Sequence, residues 1–256
     1  MAFPNLEGKH SEDSMVDPKE FMEYRKTQGS YPKFDPPKTM ILVYQKDLLS
    51  SILEDYKTKK VEGFYADIFL LDEFPGIAVA ANFGIGAPIV AALLEEFIAF
   101  GINRFVSVGT AGSLQKHLDK GSIVVCDKAV RDEGTSHHYL EPSRFSFPSE
   151  SLTSSMIGSL KRKGIYPKVG ATWTIDAPYR ETVAEARHYQ EEGILTVEME
   201  ASALFAVAEY RSVEIAAVFT ISDSLSELVW KPNFHAEETK NGLRIIFQAA
   251  LEAVFK

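Results

Sequence analysis

Residues 194–225, I-L-T-V-E-M-E-A-S-A-L-F-A-V-A-E-Y-R-S-V-E-I-A-A-V-F-T-I-S-D-S-L, constrain the fold more than any other stretch. They read as a short strand, a helix and a long apolar strand. Acids stand at both switch points of this unit. Glu198 and Glu200 bracket Met199 where the first strand passes into the helix, and Asp223 stands where the second strand ends. Ligands of open α/β sheets bind outside the carboxyl ends of strands, so this rim is a candidate site by position alone.

The rest of the chain supplies the remaining layers. From Thr39, T-M-I-L-V-Y reads as a buried strand, and D-L-L-S-S-I-L-E-D-Y carries apolar residues at helical spacing after an Asp cap. A-D-I-F-L-L and G-I-A-V-A-A-N flank a Pro-Gly turn and predict a hairpin. N-F-G-I-G-A-P leads into a helix that stops at Gly101, and R-F-V-S-V runs into a second glycine turn, G-T-A-G. A long strand after Gly121, a polar loop from Asp132, and an amphipathic helix over 152–163 follow. Then come a strand K-V-G-A-T-W-T-I-D, a charged helix, the opening unit and a closing helix from about Glu237 to Phe255. Strands outnumber what a doubly wound order needs, and hairpins mix with crossovers. The expected fold is α/β, a three-layer αβα sandwich around a mixed sheet, in one domain over 39–256. Residues 1–38 differ: they are charged, hold prolines at 4, 18, 32, 36 and 37, and have no sustained apolar period. They predict an extension packed over the domain or partly disordered, with one short helix started by Asp17-Pro18.

Composition narrows the partners. A formal net charge of −9 argues against nucleic acid or an anionic membrane as the main partner, but leaves room for a local anion pocket. The single cysteine, Cys126, excludes an intrachain disulfide and a multi-Cys zinc site, and its apolar setting predicts a buried, inert thiol. The first residues lack an apolar core of leader length, and no apolar run reaches the roughly 18 residues of a membrane span. A cytoplasmic location is the expectation.

The candidate residues each carry two readings. The glycines of 84–88 and 109–112 let backbone approach a ligand, or simply connect elements. His137 and His138 lack a partner at metal-ligand spacing, so no metal is expected. Glu198 and Glu200 fall on one side of extended backbone, and serve either as ligand-binding acids or as a helix start favoured by the dipole. Asp223 is either a helix N-cap or an acid desolvated at a strand mouth, poised to donate a proton.

The order and spacing of G-I-G-A-P, V-G-T-A-G-S-L, G-S-I-V-V, A-V-R-D-E-G-T-S, T-I-D-A-P-Y, V-E-M-E-A-S-A-L and T-I-S-D-S resemble the nucleoside phosphorylase superfamily over residues 38–255. That is the group of hexameric purine nucleoside phosphorylase, uridine phosphorylase and methylthioadenosine nucleosidase. The resemblance implies a partly barrel-like sheet and cleavage of a nucleoside's N-glycosidic bond through an oxocarbenium-like state. It implies that Glu200, with Glu198 beside it, grips the ribose hydroxyls and that Met199 packs on the sugar. Asp223, 23 residues beyond Glu200, is then the acid at N7 of a purine leaving group. Gly86, Thr110 and Lys46 fall in the phosphate region, and Gly112 and Tyr179 flank the base. Phosphate is implied as co-substrate, with no cofactor, and a homo-oligomer, a dimer or trimer of dimers, is expected.

The departures lie at the nucleophile end. Leu49 and Ser107 stand where the family has phosphate-binding arginines, and Pro178 replaces a base-stacking Phe. Three readings follow. The first is phosphorolysis of a purine nucleoside to base and ribose 1-phosphate, with phosphate held by Lys46, Thr110, Arg25 or Arg131. The others are hydrolysis by water and non-catalytic binding of a nucleoside or base.

Overall fold

Strand β1 (Thr39–Val43) is buried along its whole length, and its side chains alternate between two apolar clusters. Ile41 and Val43 enter one, Met40 and Leu42 the other. A strand covered on both faces must lie inside a sheet with helices above and below. The structure, a computed structural model, describes residues 6–255. Residues 1–5, which belong to the stretch read as free of a leader and include Pro4, and residue 256 lie outside the described residues.

The first cluster is filled by α2 (Lys46–Asp55), α4 (Glu150–Arg162) and α7 (Glu237–Val254), the second by α3 (Ala87–Phe100) and α6 (Ala201–Arg211). Each large aliphatic or aromatic side chain buried there contributes about 1.5–3 kcal/mol. Helix α1 (Pro18–Thr27) joins the second layer through Met22. Asp17 caps α1 by accepting from the Lys19 amide at 2.7 Å, with Pro18 at its first position. Arg25 pairs with Glu96 of α3 at 3.3 Å, while Tyr31 and Phe34 set their rings against Phe100.

Between the helix layers lie β2 (Thr58–Val61), β3 (Asp67–Leu71), β4 (Ile77–Ala81), β5 (Arg104–Ser113), β6 (Ile123–Asp132) and β7 (Phe145–Ser146). They are followed by β8 (Lys168–Ile175), helix α5 (Val183–Glu191), β9 (Thr196–Glu198), β10 (Glu214–Ser224) and β11 (Lys231–Pro232). Among the described residues, eleven strands form one mixed sheet. Strands β1, β4, β3 and β2 make its open wing, and β3–β4 is the expected hairpin. The rest closes on itself in the ring β5–β10–β6–β8–β9–β5. The sandwich is thus partly a barrel, as the resemblance implied.

Two readings of the sequence change. Strand β2 went unrecognised, because T-K-K-V carries exposed lysines on an edge. More consequentially, G-T-A-G is not a turn. It continues β5, where each of its residues pairs with β10. Its glycines are there for close approach. A Cβ on Gly109 would lie 3.2 Å from the Tyr44 ring, and one on Gly112 would lie 3.1 Å from Asp223 Oδ2.

Helix α7 rests on β10 through Gly242, where a Cβ would stand 2.1 Å from Thr220 Oγ1. Gly242→Ala therefore overpacks this contact and should cost about 1–3 kcal/mol in urea denaturation. Gly158→Ala in α4, whose Cβ meets nothing closer than 3.5 Å, should instead be neutral or stabilising through helix propensity.

Candidate active site

Strand β5 has β10 along one edge for its full length. On its other edge it pairs with β1 up to Val108, and with β9 only from Gly112 onward. The intervening residues, Gly109, Thr110 and Ala111, face a fork where the open wing leaves and the barrel closes. The chain leaving β1 and the chain leaving β9 both arrive at this fork, a topological switch point of the kind that binds ligands.

The chain after β1 brings Tyr44 and Gln45. The Tyr44 hydroxyl lies 3.1 Å from Ser107 Oγ, and Gln45 Nε2 donates to Thr110 Oγ1 at 3.1 Å. Burial raises the Tyr44 phenol well above its ordinary range, with the Glu200 charge adding to the effect. It is a neutral hydrogen-bonding group. Lys46 stands exposed at the first position of α2, so the structure brings Gln45, not Lys46, onto Thr110. Leu49 is buried in the apolar cluster beneath α2.

The chain after β9 brings the acids. Glu198 turns inward: its carboxylate accepts from Thr174 Oγ1 at 2.5 Å and from the amides of Glu200 and Ala201 at 2.8 and 2.7 Å. It caps the start of α6, meeting the partial positive charge there. Glu200, half-buried beside Met199, accepts from the Gly86 amide at 2.6 Å. Gly86 has a φ of 104°, open to glycine, and begins α3. The two acids of E-M-E thus part company, one holding the helix and the other facing the fork. Both carboxyls are held above the usual carboxylate range, by burial first; for Glu198 the charge of Glu200 adds to it.

Asp223 lies across β5 from β9, for Gly112 is in register with Asp223 on one side and Val197 on the other. Its carboxylate is 8% exposed and accepts from Ser222 Oγ at 2.7 Å and Trp230 Nε1 at 2.9 Å. Tyr179, on the short turn after β8, is 99% exposed. The same turn carries Glu181, whose carboxyl is pushed up to about 7 by burial and then by the charges of Asp223 and Glu185.

Sequence reasoning missed Tyr44, Gln45, Trp230 and Glu181. Only Glu181 left a trace, as an acid directly ahead of the capping box of Thr182 and Glu185. Two cations offered for the nucleophile end are engaged elsewhere. Arg25 binds Glu96, Ser30 O and Gly63 O. Arg131 spends its guanidinium on Ser136, Leu140, Glu141 and Ser143, clamping the 136–143 loop. Among the described residues, no three His, Cys, Asp or Glu side chains are grouped to hold a metal, and no helix is long and apolar enough to cross a membrane. A cavity of about 430 Å³ lies away from the fork, beside Lys128, Arg144 and Phe145. Its main charges are already engaged, Arg144 with Glu192 and Lys128 on the Phe145 ring.

Residues 54–253 match the model of the phosphorylase superfamily. The chain is 30% identical over 142 residues to guanosine phosphorylase of Halorubrum lacusprofundi, spanning 56% of this chain and 59% of that protein's length. It is 28% identical over 212 residues to a DeoD-type purine nucleoside phosphorylase of Caldanaerobacter subterraneus, covering 81% of this chain and 88% of the relative. Uridine phosphorylase from Vibrio fischeri superposes with a TM-score of 0.72 at 25% identity, over 85% of this chain and 91% of that one.

The raised carboxyls make folding pH-dependent. Between the ordinary glutamate range and their own, the folded chain keeps protons that the unfolded chain has released, so this stability is present at the acid end and lost as pH rises. The denaturation midpoint should fall from about pH 5.5 to about pH 8, and Glu200→Gln should flatten the decline.

Proposed function

The chain belongs to the phosphorylase superfamily, and from that premise we propose that it cleaves purine nucleosides by phosphorolysis, giving free base and ribose 1-phosphate. The observation that carries this reading is the fork on β5. It brings two acids, Glu200 and Asp223, to the same strand, with Gly112 between Asp223 and the β9 chain. Glu200 and Met199 hold the ribose, Glu200 through the carboxylate already seated on the Gly86 amide. As the glycosidic bond breaks, the sugar gains positive charge and the base gains electrons. A nearby carboxylate stabilises the first. Asp223, fixed by Ser222 and Trp230, supplies a proton or hydrogen bond to N7 for the second. An acid at N7 has a purpose for a purine and none for a pyrimidine.

Phosphate, as co-substrate, enters beside Thr110 and Gln45, where the α2 N-terminus and Lys46 supply positive potential. The protein acts as a homo-oligomer without a cofactor. One observation favours hydrolysis as a second reading: the groups at this end that touch one another, Tyr44 with Ser107 and Gln45 with Thr110, are all neutral. Neutral donors suit water better than a dianion.

Base release from inosine, followed with and without phosphate, separates the two. Phosphorolysis requires that release stop in phosphate-free buffer and that ribose 1-phosphate appear in its presence. Equal release in both buffers assigns the reaction to water. Under either nucleophile, Asp223→Asn should lower kcat by about 10²–10⁴, and uridine should be a poor substrate.

A further inference from the structure

Trp230 is 60% exposed, yet it donates its indole N–H to Asp223 Oδ2 at 2.9 Å. A tryptophan ordinarily covers its ring and leaves its polar edge wet. Here the N–H is engaged and the ring stays largely open. The backbone beneath it is held firmly. Strand β11 folds back on β10, with Pro232 opposite Asp223 and Lys231 opposite Ser224. The hairpin between them is tied by the Leu225 amide on Ser113 O and the Leu228 amide on Leu225 O, both at 2.8 Å, and by Gln190 Nε2 on Ser226 O at 3.1 Å. Phe234, 47% exposed, sets a second ring 6.2 Å from the indole. Open aromatic surface anchored on a buried acid is surface that a ligand covers.

The geometry at Asp223 says which ligand atoms come near. A Cβ on Gly112 would stand 3.1 Å from Oδ2, so this is the oxygen turned toward β5 and the fork. Oδ1 accepts from Ser222 Oγ, whose residue is buried. A base that reaches the carboxylate from the fork therefore meets Oδ2, the oxygen that the indole already holds. The lone pairs of a carboxylate oxygen point about 120° apart, so two partners bonded to it lie about 4–5 Å from each other. At that separation the base and the indole touch.

We propose that Trp230 is a wall of the base site: its ring packs against the purine while its N–H fixes Asp223 Oδ2 for N7. This inference rests on the purine reading above. The two duties belong to different parts of one side chain. The ring supplies affinity through stacking, and the N–H supplies the aim of the acid. An indole covers more of a bicyclic base than of a monocyclic one, so the wall also favours purines.

The chain has two tryptophans, and Trp173 is fully buried with its N–H on Asp132 at 2.8 Å. Acrylamide quenching of tryptophan emission therefore reports Trp230. Saturating hypoxanthine should lower the quenching slope about twofold in the wild type, as stacking covers the open ring, and should leave Trp230→Phe unchanged. Kinetics separate the two duties. Trp230→Leu should raise KM for inosine about tenfold through lost stacking. Trp230→Phe, which keeps a ring and lacks the N–H, should bring KM back toward wild type while kcat falls about tenfold. Both variants should fold, because the ring they replace is mostly exposed. A quenching slope unmoved by bound hypoxanthine, or a KM in Trp230→Leu equal to wild type, or one that Phe does not restore, overturns the proposal and leaves the purine reading intact. If calorimetry shows that neither hypoxanthine nor adenine binds, the purine reading falls, and this inference with it.

Discussion

The structure depends on β5 changing partners halfway along one edge. Its first half pairs with β1 and its last residues with β9, while β10 holds the other edge throughout. The change is enforced by packing. Tyr44 takes the space beside Gly109 that a side chain would fill, and Asp223, Val197 and Leu225 crowd the position of a Cβ on Gly112. A residue larger than glycine at either point would force these side chains to give way. The functional groups are thus fixed by backbone that is itself buried and hydrogen-bonded, which is what a preorganised site requires.

Charge is distributed unevenly along that strand. On one side of the fork stand Glu200 and Asp223, with Glu198 just beneath at the start of α6. The other side, around Thr110, holds phenol, hydroxyl and carboxamide groups. The acids suit a reaction whose sugar becomes cationic and whose leaving group must be protonated. The neutral end fits a nucleophile held by hydrogen bonds and by a helix terminus, not by a guanidinium fork. Arg131, the one buried arginine among the described residues, is committed to carbonyls and hydroxyls of its own loop.

Much of this was legible in the residues. The unbroken burial of β1 and of the interior of β10, the acids at both ends of the opening unit, and the cap at Asp17 all follow from local pattern. The length of β5 was not. Glycines placed for close approach look the same in a sequence as glycines placed for a turn, and only the positions of Tyr44 and Asp223 tell them apart. Glu198 and Glu200 could be paired by spacing, but the break in backbone direction at Glu200, with φ −134° and ψ −35°, sends them to different duties. The cations failed for a related reason. A sequence shows that Arg25 and Arg131 exist, whereas their availability depends on Glu96 and on a loop closing back upon itself. Glu181 left only the trace of an acid ahead of a capping box, because its half-burial is a product of packing.

The central claim is that one strand aligns nucleophile, sugar and base along its edge. A crystal structure with hypoxanthine and phosphate bound tests it most directly. The account predicts the base with N7 at Asp223 and the anion at Thr110 and Gln45, with Glu200 between them. A base seated away from Asp223, or an anion bound far from Thr110, would contradict it.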